Sequence, residues 1–263
     1  MSRVKHLGSR RELENYRDLL FVLVQKDIKV RYKSKILGYL WSIASPLAFA
    51  CVYFFAFRIV MRVDVANYPL MLISGIFPWQ WFANSVGSSP RLFLGNAPLI
   101  KKVKFPRIII PLSMILNHMI HFILSLPVIL LFVFIYGGAP TLSWIIGIPI
   151  LLAVHLMMVY GISLVLSSLN LFLRDIERLV DVVMRFVFYF TPIIYPIELI
   201  PERFQAFIPL NPVAPLIISW RELFLFGTFN LAYTAISFAY ALAFLALGYF
   251  VYRKLSWRFA EVV

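Results

Sequence analysis

The chain has 263 residues, of which 62% are hydrophobic, 17% aromatic and only 14% charged. Soluble domains carry about 25% charged residues, so this chain lacks the polar surface of a water-soluble globule and is read as an integral membrane protein. The single cysteine, Cys51, excludes a disulfide framework, and His6, His118, His121 and His155 make a poor set for a structural zinc. The net charge of +13 raises nucleic acid as a partner, and the placement of the cations decides against it.

Residues 1–18 are polar and the first apolar run, Leu19–Val24, is closed by Lys26, so no secretory signal peptide is expected. Within the N-terminal segment 1–36, Leu13, Tyr16, Leu20, Leu23 and Val24 recur at helical spacing. That pattern suits an amphipathic helix in the headgroup plane. From Ile28 to Lys33 apolar and basic residues alternate with a period of two, which favours helix less. A basic segment of this kind anchors on anionic lipid or offers a contact surface to a cytoplasmic partner.

A helix crosses the hydrocarbon with about 20 mainly apolar residues, and inside lipid every backbone amide must be paired within its own segment. Six such stretches follow: 37–60, 68–90, 108–135, 142–169, 179–195 and 231–252. The third and fourth come from a charge-free run, Ile108–Leu173, divided by the turn Tyr136-Gly137-Gly138-Ala139-Pro140-Thr141. Between the second and third, residues 91–107 form a loop too apolar for a plain solvated one, with Pro98 and Pro106 bracketing a short amphipathic helix. His118 and His121, beside Asn117, are expected to hydrogen-bond between helices. Asp181 and Arg185 are spaced to pair on one helix face.

Residues 196–229 are apolar enough for a seventh crossing, but hold Pro196, Pro201, Pro209, Pro212 and Pro215 together with Glu198, Glu202, Arg203, Arg221 and Glu222. A hairpin of short helices that enters the membrane and returns fits better. Cation placement supports this. Twenty-one of the 25 Lys and Arg residues lie in 1–36, 91–107, 170–185 and 253–263, and six crossings put all of them in the cytoplasm, as basic loops prefer. The charge is then a topology signal, and no nucleic-acid partner is expected.

Phe49, Tyr53 and Phe57 share one helix face at i, i+4, i+8, and Phe186 and Phe190 share another with Tyr189 adjacent. Such faces offer flat apolar surfaces on which a ligand can stack. Aromatics also serve as packing or interfacial belts, the reading preferred for Trp79 and Trp81.

The run Lys26-Asp27-Ile28-Lys29-Val30-Arg31-Tyr32-Lys33, then Leu37-Gly38-Tyr39-Leu40-Trp41 and Ser45-Pro46-Leu47, resembles the entry to the first span of polysaccharide-export permeases. These are the membrane subunits of type-2 ATP-binding-cassette exporters. Gly75-Ile76-Phe77-Pro78-Trp79, residues Asn96 to Pro111, Arg174-Asp175-Ile176-Glu177, Leu210-Asn211-Pro212 and Trp220-Arg221-Glu222 continue the resemblance in order along nearly the whole chain. Within the family the chain is most similar to O-antigen exporters; capsule and teichoic-acid exporters share these motifs.

The resemblance implies an all-α membrane protein of the bacterial inner membrane with both termini cytoplasmic. It implies a homodimer around a central channel, two separate nucleotide-binding subunits that hold ATP and magnesium, and a polyprenyl-pyrophosphate-linked glycan as cargo. Asn96, Leu99, Ile100, Lys101, Lys102, Val103, Lys104 and Phe105 would form the cytoplasmic coupling helix. Pro209, Asn211, Pro212, Trp220, Arg221 and Glu222 would belong to an outer gate. Arg31, Lys33 and Lys35 stand where a lipid pyrophosphate would arrive and could pair with it, or anchor by snorkelling.

No Gly-x4-Gly-Lys-Ser/Thr phosphate loop is present, so an ATPase would have to be another chain, and no cofactor is expected on this one. A polyprenyl-phosphate enzyme would need clustered carboxylates, yet Asp175, Glu177 and Asp181 each stand beside an arginine. A secondary transporter would show an internal repeat, and none is visible.

Overall fold

The computed structural model describes residues 16–26, 41–62, 64–102 and 105–262, and among them there is helix, turn and irregular chain but no strand. The helices run in order: α1 (16–26), α2 (Trp41–Phe54), α3 (Tyr68–Ser88), α4 (Leu92–Gly95), α5 (Ala97–Lys102), α6 (Ile109–Ile135), α7 (Ser143–Asn170), α8 (Ile176–Phe190), α9 (Glu202–Gln205), α10 (Ala214–Phe226), α11 (Leu231–Leu255) and α12 (Phe259–Val262). The last turns of α2 widen into a π-helix, Phe55–Val60.

Among the described residues, four stretches are helical, long and apolar enough to cross a membrane: Ile43–Val60, Ile109–Ile135, Ser143–Asn170 and Leu231–Arg258. The third and fourth expected crossings thus correspond to α6 and α7, separated by the turn at Gly137 and Gly138. Gly137 has a φ of +77°, the left-handed conformation that ends α6.

α3 is long enough, at about 31 Å for its 21 residues, but is less apolar because it carries Ser74, Gln80, Asn84, Ser85 and Ser88. Its position explains this. α3 packs against α2, α6, α7, α8 and α10, and most of its residues are buried. A helix sheathed by protein does not need a lipid-like surface. The main core gathers on it: Trp81 stacks on His155 of α7 and Phe122 of α6, and Phe122 meets Trp220 of α10 edge-on. Trp79 and Trp81 are therefore packing residues.

α8 differs from the expected 179–195 crossing. It begins at Ile176 and stops at Phe190, 15 residues or about 22 Å, because Thr191 turns extended ahead of Pro192. Residues 191–194 continue as buried, non-helical chain.

The longest interface is between α7 and α11. There the two backbones touch at Gly161 and Gly248, which lack the Cβ that would hold them apart. A second, smaller core lies at the opposite end of α3 from residues 191–194. It consists of Phe93, Ile100, Ile110, Leu171 and Phe259, with Phe105 and Tyr252 packed against it.

Candidate functional site

Three places bring expected functional residues together. At the first, Tyr53 of α2 meets Phe188 of α8 with ring centroids 5.7 Å apart, and Tyr53 lies 6.5 Å from Phe57. Phe188 in turn contacts Trp79 of α3 and meets Tyr189 in a T-shaped arrangement. The two aromatic faces read separately from the sequence are therefore neighbours, joined through Phe188, which that reading missed because it lies off the Phe186–Phe190 stripe. Phe49, Phe186, Tyr189 and Phe190 are exposed, and Tyr53 and Phe57 are half-buried. The exposed side of α8 is an apolar stripe, Leu179, Val182, Val183, Phe186, Tyr189 and Phe190, at the spacing of one helix face. Asp181 and Arg185 are exposed beside it and form no ion pair with each other. Among the described residues the ion pairs are Arg17–Asp18, Arg58–Asp64 and Arg91–Glu177.

At the second, the described residues of the 91–107 loop hold two short helices, α4 and α5. The backbone carbonyl of Asn96 accepts from the amides of Leu99 and Ile100, starting α5, while its side-chain amide donates to Leu92 O at 2.9 Å. Ile100 points inward, Lys101 and Lys102 are exposed, Leu99 and Phe105 are partly buried, and Val103 and Lys104 lie outside the described residues. Arg91 is tied to Glu177 at the start of α8, and Asn170 donates to Pro90 O at 2.9 Å. The loop is thus fixed to α7 and α8. A cavity of about 240 Å3 opens beside it, bounded by Leu23 of α1, Leu92, Asn96, Met114, Asn117 and His118. His118 meets Ser85 Oγ of α3 at 3.0 Å, the interhelical bond expected of it. Arg31, Lys33 and Lys35 lie outside the described residues.

The third lies where α8 ends. Four consecutive carbonyls of the bent, non-helical chain that follows it each accept a hydrogen bond from a side chain on another helix. The Arg221 guanidinium donates to Pro192 O, to Ile193 O at 2.7 Å and to Tyr195 O at 3.2 Å. Tyr68 Oη donates to Ile194 O at 2.9 Å. Non-helical backbone at membrane depth is stable only where protein satisfies it in this way. Asn211 adds a bond from Nδ2 to Thr191 Oγ1 at 2.9 Å, while its Oδ1 accepts from Val213 N ahead of α10. Trp220 is fully buried on Phe224. Pro209 O accepts from Tyr240 Oη at 2.9 Å. Pro212 and Glu222 are partly buried. Of the six residues expected at the outer gate, Asn211 and Arg221 directly fasten the end of α8. Tyr68 shares that task and was not singled out; its place at the first turn of an apolar helix was the available signal.

The ABC-2 type transporter family model matches residues 18–225. The chain belongs to that family. Among its relatives, an O-antigen export system permease protein RfbA of Klebsiella pneumoniae is 48% identical over 246 residues, covering 94% of this chain and 95% of the relative. One of Myxococcus xanthus with the same description is 33% identical over 81% of this chain and 83% of its own length. The polysialic acid transport protein KpsM of Escherichia coli is 19% identical over 76% and 78%.

In this ABC-2 family member the burial of Phe259, near the end of the chain, is a further contact that the sequence does not lead one to expect. Phe259 is fully buried, 4.8 Å from Phe93 between ring centroids. The one apolar aromatic after the closing basic residues Arg253 and Lys254, apart from the exposed Trp257, is a weak hint of it.

Proposed function

We propose that this chain is the membrane-spanning permease subunit of an ABC-2 type system that exports O-antigen, as a lipid-linked glycan, across the bacterial inner membrane. The observation that carries it is the 48% identity, over nearly the full length of both chains, to a protein described as an O-antigen export permease. The similarity to the polysialic acid transporter is far lower at 19%, which favours O-antigen over capsule as cargo.

In this reading six helices cross the membrane: the four apolar stretches named above, the protein-sheathed α3, and α8 with the non-helical chain after it making up the length it lacks. The α10 segment enters from the outer side and returns. Both termini are cytoplasmic. Two copies enclose the channel, and the exposed apolar stripe of α8 together with Phe49 supports an interface or pore wall there. Phe49, Tyr53, Phe57, Phe186, Tyr189 and Phe190 line the glycan path. Arg31, Lys33 and Lys35 meet the lipid pyrophosphate. The exposed Lys101 and Lys102 on α5 face a separate ATPase subunit, which binds ATP and magnesium and drives the cycle.

Deletion of this chain from its own strain tests the reading. Surface O-antigen should disappear while lipid-linked glycan accumulates inside, and the full-length chain should restore export. The chain should also carry a soluble ATPase with it through detergent extraction. Unchanged surface O-antigen after deletion would reject the proposal.

A further inference from the structure

The coupling segment is held on one side by the end of the chain. Phe259 of α12 is fully buried, and its ring lies against Phe93 of α4 at 4.8 Å and Tyr252 of α11 at 5.8 Å. Arg107, which closes the coupling segment, stacks over the Phe259 ring at 5.8 Å, and its Nη1 donates to Ser256 O at 2.6 Å. Ile100 of α5 belongs to the same buried cluster. A charged guanidinium bonded to one carbonyl and laid on an aromatic face makes a directional fastening, unlike simple apolar contact. On the other side, α11 is locked to α7 through Gly161 and Gly248. The helix that leads into Phe259 therefore cannot slide on its neighbour without breaking backbone contact.

We propose that the C-terminal segment 256–262, seated through Phe259 and Arg107, is a positioning element that passes movement of the coupling helix to α11 and, through it, to α7. The inference rests on the reading of α5 as the contact for the ATPase. Phe259 is fully buried and acts through Phe93 and Ile100. Loss of the seat leaves the ATPase bound and turning over while the membrane helices no longer follow it.

The test uses the full-length chain purified with its ATPase, and surface glycan in the strain that makes it. Phe259→Ala should leave complex assembly and ATP hydrolysis near wild type while lowering surface glycan by about fivefold, within the range that residues on a coupling route produce. Phe259→Leu should restore export. Arg107→Met, which removes the hydrogen-bond donor and the charge over the Phe259 ring, should act like Phe259→Ala. Parallel loss of hydrolysis and export, unchanged export, or failure of both variants to assemble would each overturn the proposal. A cysteine at Lys101, in a Cys51→Ser background, separates the two readings. If it does not crosslink to the ATPase, the coupling assignment itself fails. If it crosslinks and Phe259→Ala still exports normally, only the positioning role fails.

Discussion

A Cβ on Gly248 would lie 2.3 Å from the carbonyl oxygen of Gly161, and a Cβ on Gly161 would lie 2.3 Å from the carbonyl carbon of Phe244. Neither contact can be relieved by rotating a side chain, since the atoms in the way belong to backbone. Gly161→Val or Gly248→Val should therefore separate α7 from α11 and cost on the order of 3 kcal/mol or more. Detergent-purified protein should melt at a clearly lower temperature or fail to extract as a single species. Gly87, which has open space where a Cβ would stand, is the control: Gly87→Ala should leave melting unchanged or raise it slightly.

Arg221 and Tyr68 together satisfy the carbonyls of residues 192–195. Arg221→Met leaves three of them without a donor, at about 1–3 kcal/mol for each buried group. The segment 192–195 should loosen. With a cysteine at the buried Ile194 in a Cys51→Ser background, labelling by a membrane-impermeant thiol reagent added outside should rise severalfold on adding Arg221→Met. Tyr68→Phe, which removes one donor, should give a smaller rise. Equal labelling in all three would mean the clamp does not hold the segment closed.

Tyr53 and Phe57 lie on the aromatic face continuous with Phe188. Tyr53→Ala combined with Phe57→Ala should slow glycan export, seen as less surface glycan at a fixed time after induction, without preventing assembly of the complex. Normal surface glycan in this variant would remove both residues from the channel wall.

Arg91 and Glu177 link the loop after α3 to the start of α8. The Arg91 side chain is 73% exposed, so the pair adds little to stability and its effect should appear in export. Arg91→Glu and Glu177→Arg should each lower surface glycan, and the double reversal should recover most of it. Failure of the double variant to recover would mean that the two side chains act separately.

Helix positions set by lipid were the most readable part of the sequence, because a charge-free run closed by Gly137-Gly138 leaves few alternatives for α6 and α7. α3 was legible by its length, yet its burial beneath five other helices was not, since a protein-sheathed helix and a polar one share the same composition. The end of α8 was placed five residues too late. Pro192 stopped the helix, while Thr191 to Ile194 remain apolar enough to resemble its continuation. The aromatic faces could be assigned by spacing, but their meeting through Phe188 depends on how α2 and α8 cross α3. Asp181 and Arg185 had the right separation to pair and do not; Glu177 instead reaches Arg91, a partner 86 residues away. Long-range pairings such as this one and Phe93 with Phe259 leave no periodic trace.

The central claim is tested most directly by joining this chain to its ATPase in sealed vesicles loaded with the lipid-linked O-antigen on the ATPase side. The glycan should cross to the opposite leaflet only when ATP is supplied and both subunits are present, and a non-hydrolysable ATP analogue should stop it. Glycan crossing at the same rate without ATP or without the partner subunit would contradict the account.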